Sequence, residues 1–160
     1  MKPKTPAIFK NVFIISIVVI AGLAWTFKIT YESYLSRKKI HEGFLIITAI
    51  QNRLEGYADE NSGIPYYPKL DNESFGLPNP FKINGTYINQ VTALKPQNSS
   101  EISLIATVNT IEVPNLENGD DHPLSSPHIR FTGRYAHGGI IWQCSSDLAQ
   151  RYLPDNCHGT

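Results

Sequence analysis

No proline occurs between Ala7 and Ile64, and the early part of that stretch, Val12 to Phe27, carries no charged side chain. These two facts constrain the fold more than anything else in the chain. Proline is the strongest breaker of a helix interior, so its absence lets one helix run through the whole stretch. The charge-free run reads VFIISIVVIAGLAWTF and is apolar all round. At about 1.5 Å per residue it measures roughly 24 Å, a little short of the ~30 Å hydrocarbon core of a bilayer. Ile8, Phe9 and Ile29 extend it, and the side chains of Lys10 and Lys28 are long enough to reach the interface. Trp25 suits an interfacial belt. The run is therefore read as a membrane span over residues 8–29. A cleaved secretory signal is the competing reading, since Lys2, Lys4 and Lys10 followed by an apolar middle fit it equally well. The run ends, however, in Trp-Thr-Phe-Lys-Ile-Thr-Tyr, with no small-x-small cleavage site, and the helical pattern continues past it. A retained anchor is expected.

Beyond the span, residues 30–62 turn amphipathic. Tyr34, Ile40, Phe44, Ile47, Ile50, Leu54 and Tyr57 follow mostly at steps of three or four, one helical face. Arg37, Lys38, Glu42, Gln51, Arg53 and Glu55 occupy the other. Gly43 and Gly56 each weaken such a helix by about 1 kcal/mol without breaking it. The expected stop is Asn61-Ser62-Gly63, just ahead of Pro65. A helix of about fifty residues, apolar all round and then amphipathic, is rarely needed by a soluble domain. It suits a filament subunit, one half packing in a bundle and the other under its own head.

Residues 63–160 form the head. The stretch IPYYPKLDNESFGLPNPFK, rich in Pro, Asn and Gly, predicts a surface loop with little regular structure. Four β-like runs follow: Thr86–Leu94, Glu101–Val113, Ile129–Tyr135 and Gly139–Gln143. Asn84-Gly85, Asn118-Gly119 and Gly138-Gly139 are turn signals between them. Strands in sequence without helices between them imply an antiparallel sheet. The expected fold class is α+β, a long N-terminal helix packed on a four-stranded antiparallel sheet. A head of roughly 100 residues buries a modest core, and a covalent link would help it. The two cysteines of the chain, Cys144 and Cys157, allow one intramolecular pairing. Closing a loop of that length is worth about 3 kcal/mol in the chain-entropy model, and a disulfide implies an oxidising compartment. Two free thiols are the alternative; an anchor that places the head outside the cytoplasm favours the disulfide.

Other chemistry finds little support. Lys plus Arg and Asp plus Glu number 14 each, so no net charge draws the chain to nucleic acid, and residues 60–160 are acidic on balance. Of the histidines, His122, His128 and His137 stand in loop-like stretches near Asp120 and Asp121, with no spacing that aims them at one metal ion. Asp120-Asp121 reads as a solvated turn. No nucleophile elbow occurs. The chain is expected to be no enzyme and to carry no cofactor or metal. Asn72-Glu-Ser, Asn84-Gly-Thr and Asn98-Ser-Ser match the glycosylation triplet, which Asn- and Ser-rich loops also produce by chance.

Three stretches resemble type IV pilins. Tyr31-Glu-Ser-Tyr34-Leu-Ser-Arg37, followed by a helix ending in Leu54-Glu-Gly-Tyr57-Ala-Asp-Glu-Asn61-Ser-Gly63-Ile-Pro65, is similar to the pilin helix and its exit. Gly85-Thr-Tyr87-Ile-Asn-Gln-Val91 and Ile102-Ser-Leu-Ile-Ala106-Thr are similar to the first head strands. Ile141-Trp142-Gln-Cys144 and Arg151-Tyr152-Leu153-Pro154-Asp-Asn-Cys157 resemble the C-terminal disulfide loop of major pilins and are the most specific of the three. The resemblance covers nearly the whole chain. It implies a structural subunit in a type IV pilus-like filament serving adhesion or surface attachment, either a minor or tip pilin or a divergent major pilin that uses other contacts. It also implies other pilin subunits as partners through the N-terminal helix, the bacterial inner membrane before assembly, and a prepilin peptidase. In related proteins the disulfide loop meets receptors or neighbouring heads, here through Asp147, Arg151, Tyr152 and Asp155; the alternative role is a clasp that fixes the last strand. A membrane-anchored binding protein that does not polymerise is the alternative function.

The N-terminus departs from the pattern. Aligned on Tyr31, Tyr34 and Arg37, the basic leader is residues 1–7 and the mature chain begins at Ile8. Ala7 stands where the family has glycine, Val12 where it has a buried glutamate, and Ile29 where it has a kinking proline. Alanine is small enough for the peptidase. The family's glutamate pairs with the N-terminal ammonium of a neighbouring subunit; Val12 cannot, and an unmatched buried charge costs several kcal/mol. A filament built of this chain alone is therefore disfavoured, whereas a tip subunit has nothing above it and needs no such carboxylate.

Overall fold

The computed structural model describes residues 7–65 and 69–159, apart from the side chains at 7–15 and 29. Helix α1 spans Ala7–Glu60, so the proline-free stretch is one helix, continuous through Ile29. The chain divides into two compact units, Met1–Leu35 and Ser36–Thr160.

Within the second unit, the helix ends where the Asn-Ser-Gly signal places it. The Gly63 N–H donates to the Ala58 carbonyl at 2.6 Å and the Ser62 N–H to the Asp59 carbonyl at 3.3 Å, the paired bonds of a Schellman cap. The left-handed position falls on Ser62, with φ 56°, one residue before the glycine that usually supplies it.

Five helix residues, Ile40, Ile47, Ile50, Leu54 and Ala58, are buried and form the stripe the sequence pattern outlines; Phe44 and Tyr57 pack at its margins, and Tyr34 is exposed. Gly43 lies in the same stripe. A Cβ there would come within 2.8 Å of Ile88 Cδ1, so this glycine, a cost to the helix alone, lets the helix approach the sheet closely.

Among the described residues the sheet has six strands in sequential order, not the expected four. They are β1 (Leu70–Asp71), β2 (Ile88–Lys95), β3 (Glu101–Val108), β4 (His128–Ala136), β5 (Gly139–Ser146) and β6 (Cys157–His158). Neighbours pair antiparallel except β5 with β6, which is parallel. The two additional strands are two residues long, too short to show any alternation in sequence; β1 sits inside the stretch expected to be loop. Strand β3 stops at Val108 rather than Val113 because the chain turns there: the Asn109 side chain accepts from the Ile111 N–H at 3.1 Å and the Asn109 carbonyl from the Val113 N–H at 2.9 Å. The β4–β5 hairpin closes through His137 and Gly138, both with positive φ, the geometry of a tight two-residue turn.

Period-two burial is clear on β3, where Ile102, Leu104, Ala106 and Val108 face the helix. Val91 and Ala93 of β2, Ile129 of β4 and Ile140 of β5 join them. Fully burying each Val, Leu or Ile of this set contributes about 2 kcal/mol, and each Ala about 0.8 kcal/mol. On β4, Gly133 leaves room for its register partner Trp142; a Cβ at Gly133 would lie 2.4 Å from the indole ring. The indole N–H reaches Glu55 of the helix at 3.4 Å.

The β2 edge is closed by an asparagine. Asn72 is 4% exposed; its Nδ2 donates to the Val91 carbonyl at 3.2 Å and the Pro78 carbonyl at 3.1 Å, and its Oδ1 accepts from the Ala93 N–H at 2.6 Å. Its amide is thus committed to the backbone, and the triplet that begins at Asn72 is a structural one. Two changes test these features in thermal unfolding. Asn72→Ala strands two buried backbone groups and should cost about 2–4 kcal/mol. Ser62→Gly relieves a left-handed serine and should stabilise by about 0.5–1 kcal/mol.

Candidate functional site

The cysteines form a disulfide, with Cα atoms 4.6 Å apart, and the two residues are register partners across β5 and β6. The loop between them is built inward. Leu148, Ala149, Tyr152 and Leu153 are all buried, around a 3-10 turn at Gln150–Tyr152. The Gln150 side chain laces the loop to its end: Nε2 donates to the Cys157 carbonyl at 3.0 Å and Oε1 accepts from the Gly159 N–H at 3.0 Å.

The four residues singled out as contact candidates occupy different environments. Tyr152 is buried. Asp147 accepts from the His128 N–H at 2.8 Å and its other oxygen lies 2.9 Å from His128 Nδ1. Arg151 pairs with Glu117 and, at 2.9 Å, with Asp121, and its guanidinium stands 5.0 Å from the Tyr152 ring centre. Its pKa is raised above the ordinary arginine value, first by the Tyr152 side chain and then by Asp121, with burial opposing; it remains a cation at any working pH. Asp155 is exposed and lies 3.8 Å from Arg37 of the helix.

Arg151 joins the disulfide loop to the β3–β4 connection. There Asn118 Oδ1 accepts from the N–H groups of Asp120 at 3.1 Å and His122 at 2.9 Å, shaping an Asx-type turn. The Ala149 N–H also reaches the Glu117 carbonyl at 2.9 Å. The Asp120-Asp121 pair is therefore partly a salt-bridge partner, not merely a solvated turn. Among the described residues no group of His, Cys, Asp or Glu side chains is placed to hold a metal ion.

The sequence pattern did not single out the helix residues that gather these loops. Arg37 reaches Asp155. Lys39 Nζ donates to the Glu112 carbonyl at 2.8 Å and lies 5.4 Å from the Tyr87 ring centre. The Glu42 carboxylate accepts from the N–H groups of Thr86 at 3.0 Å and Tyr87 at 2.6 Å. Their spacing carries no signal: Arg37 and Lys39 are two residues apart, about 200° around the helix, and only Lys39 and Glu42 are near one turn apart.

A pilin family model, described as a bacterial filament protein, matches residues 36–158. The chain belongs to the pilin family. The match takes in the amphipathic helix, the sheet and the whole disulfide loop of this pilin. The chain is also similar to the fimbrial protein EcpC of Eikenella corrodens, at 24% identity over 143 residues, covering 89% of this chain and 84% of that protein. Family and relative together support a filament subunit.

The first unit of this pilin leaves apolar surface open. Ile20, Leu23, Trp25 and Phe27 are 66%, 65%, 69% and 73% exposed. Among the described residues no helix is long and apolar enough to cross a membrane. The side chains of Ala7, Ile8 and Val12, the expected leader cut and the missing carboxylate, lie outside the described residues.

The Arg151 bridge yields a test of the clasp. Arg151→Ala should cost about 0.5–1 kcal/mol, because solvent screens these partly exposed ion pairs. It should raise hydrogen exchange at Ala149 and around Glu117 while leaving the disulfide intact.

Proposed function

We propose that this pilin is a minor or tip subunit of a type IV pilus-like filament that serves adhesion or surface attachment, acting as a structural protein and not as an enzyme. The observation that carries the reading is the pairing of a pilin head with an N-terminal helix unit whose large apolar side chains stand uncovered. A bilayer before assembly, or the helices of other pilins after it, would remove that surface from water. On this reading residues 8–29 are the inner-membrane anchor, the head lies outside the cytoplasm, and a prepilin peptidase cuts between Ala7 and Ile8. The wider apolar run that includes residues 8–15 supports the anchor.

The tip or minor role rests on Val12. A subunit without the buried carboxylate leaves the ammonium of a neighbour unmatched, a cost of several kcal/mol that a terminal position escapes. In purified filaments, mass spectrometry should find this chain at low stoichiometry beside another pilin, beginning at Ile8. Val12→Glu should raise its incorporation severalfold. Unchanged incorporation would argue against the carboxylate as the limiting feature, and an intact Met1 in filaments would overturn the cut.

A further inference from the structure

The two edges of the sheet are treated differently. On one side β1 covers β2 at Leu94 and Lys95, the β2 register shifts between Ile88 and Gln90, and Asn72 caps Val91 and Ala93. On the other side β4 pairs with β5 from Gly139 to Ser146, yet β6 covers only Cys144 and Ser145. Among the described residues no strand lies beside Gly139–Gln143, which is left with an open edge. Natural edge strands are ordinarily protected by charge, proline or a bulge. This one reads Gly-Ile-Ile-Trp-Gln and has none of these. Ile141, on the sheet face away from the helix, is 56% exposed.

The hairpin decides which backbone groups point outward. A two-residue loop is closed by a hydrogen-bonded pair, here Ala136 and Gly139, and antiparallel pairs alternate from there. By the observed register, Arg134 with Ile141 and Thr132 with Gln143 are then bonded pairs. Ile140 and Trp142 direct their N–H and C=O groups to the open side. Among the described residues no loop or side chain bonds to those groups. They flank Ile141 symmetrically.

We propose that Gly139–Gln143 pairs antiparallel with the same segment of a second copy, about a two-fold axis through Ile141. Ile140 of each copy then faces Trp142 of the other as a bonded pair, and every outward group finds its complement. Ile141 faces Ile141 as the closer, non-bonded pair, which covers the exposed side chain. No charged side chain of the segment meets its own copy. This register pairs all five residues of the segment, which β6 bounds beyond Gln143 and the hairpin turn bounds before Gly139; a register shifted by two residues pairs only three.

A two-fold axis normal to the sheet reverses every direction within its plane. The helix of residues 36–60, packed on that sheet, therefore runs in opposite senses in the two copies. Copies standing side by side in one membrane or one filament cannot meet this way, whereas copies on separate filaments or cells can. This orientation, which rests on the anchoring proposed above, makes the edge a contact between surfaces, suited to bundling filaments or joining cells.

The test uses the full chain in detergent micelles. A non-bonded antiparallel pair holds Cα atoms about 4.5 Å apart, within reach of a disulfide. Ile141→Cys should therefore cross-link under mild oxidation at least about tenfold faster than Gln143→Cys, which sits two residues off the axis. Equal rates at the two positions would overturn the pairing, and because both side chains are exposed, neither substitution threatens the fold. Two vesicle populations carrying differently tagged Ile141→Cys chains should then yield dimers bearing both tags. Dimers in micelles with none between vesicles would overturn the opposed-surface role and leave the edge pairing standing.

Discussion

The burial of one helix face against one sheet face holds the head together. Ile40, Ile47, Ile50, Leu54 and Ala58 meet Val91, Ala93, Leu104, Ala106 and Ile129 in a single core. Gly43 permits the approach by leaving out a side chain where Ile88 sits closest. Everything else in the head is positioned by this contact. The sheet can be sequential and mostly antiparallel because the helix covers one face and leaves the other to water.

The loops are secured by polar contacts at the start of the same helix segment. Arg37, Lys39 and Glu42 each reach a different connection: the disulfide loop, the β3–β4 loop and the entry to β2. Arg151 then ties the disulfide loop to the β3–β4 loop through Glu117 and Asp121. The disulfide is the covalent member of this arrangement. It fixes β6 beside β5 while the apolar residues of its loop, Leu148 and Leu153 among them, are buried. These contacts give the loop surfaces a defined shape, which a filament subunit needs on every side it presents to a neighbour.

The head protects one edge of its sheet and leaves the other bare. Asn72 replaces a missing strand on the β2 side with a single side-chain amide. On the β5 side the short β6 stops at Ser145. The same asymmetry caps the β2 edge and leaves the outer backbone edge of five neutral residues of β5 without a neighbouring strand among the described residues.

The sequence by itself determined the long helix, its stop near Gly63, the apolar stripe, four of the strands and the single cysteine pairing. Each is local or periodic: absent prolines, steps of three and four, alternation, or a count of two thiols. Only the tertiary structure decided the rest. Strands of two residues carry no period, so β1 and β6 were invisible. Lys95, fully buried at the end of β2 and donating to the Pro96 carbonyl at 3.1 Å, looks like any surface lysine in sequence. Asn72 matched a modification triplet and turned out to be an edge cap. Arg151 and Asp147, chosen as contact residues from the loop alone, meet partners more than fifteen residues away in sequence, at Glu117 and His128. Such pairings depend on how the chain returns to itself, and hydrogen-bond partners set by chain return leave no mark on local composition or spacing.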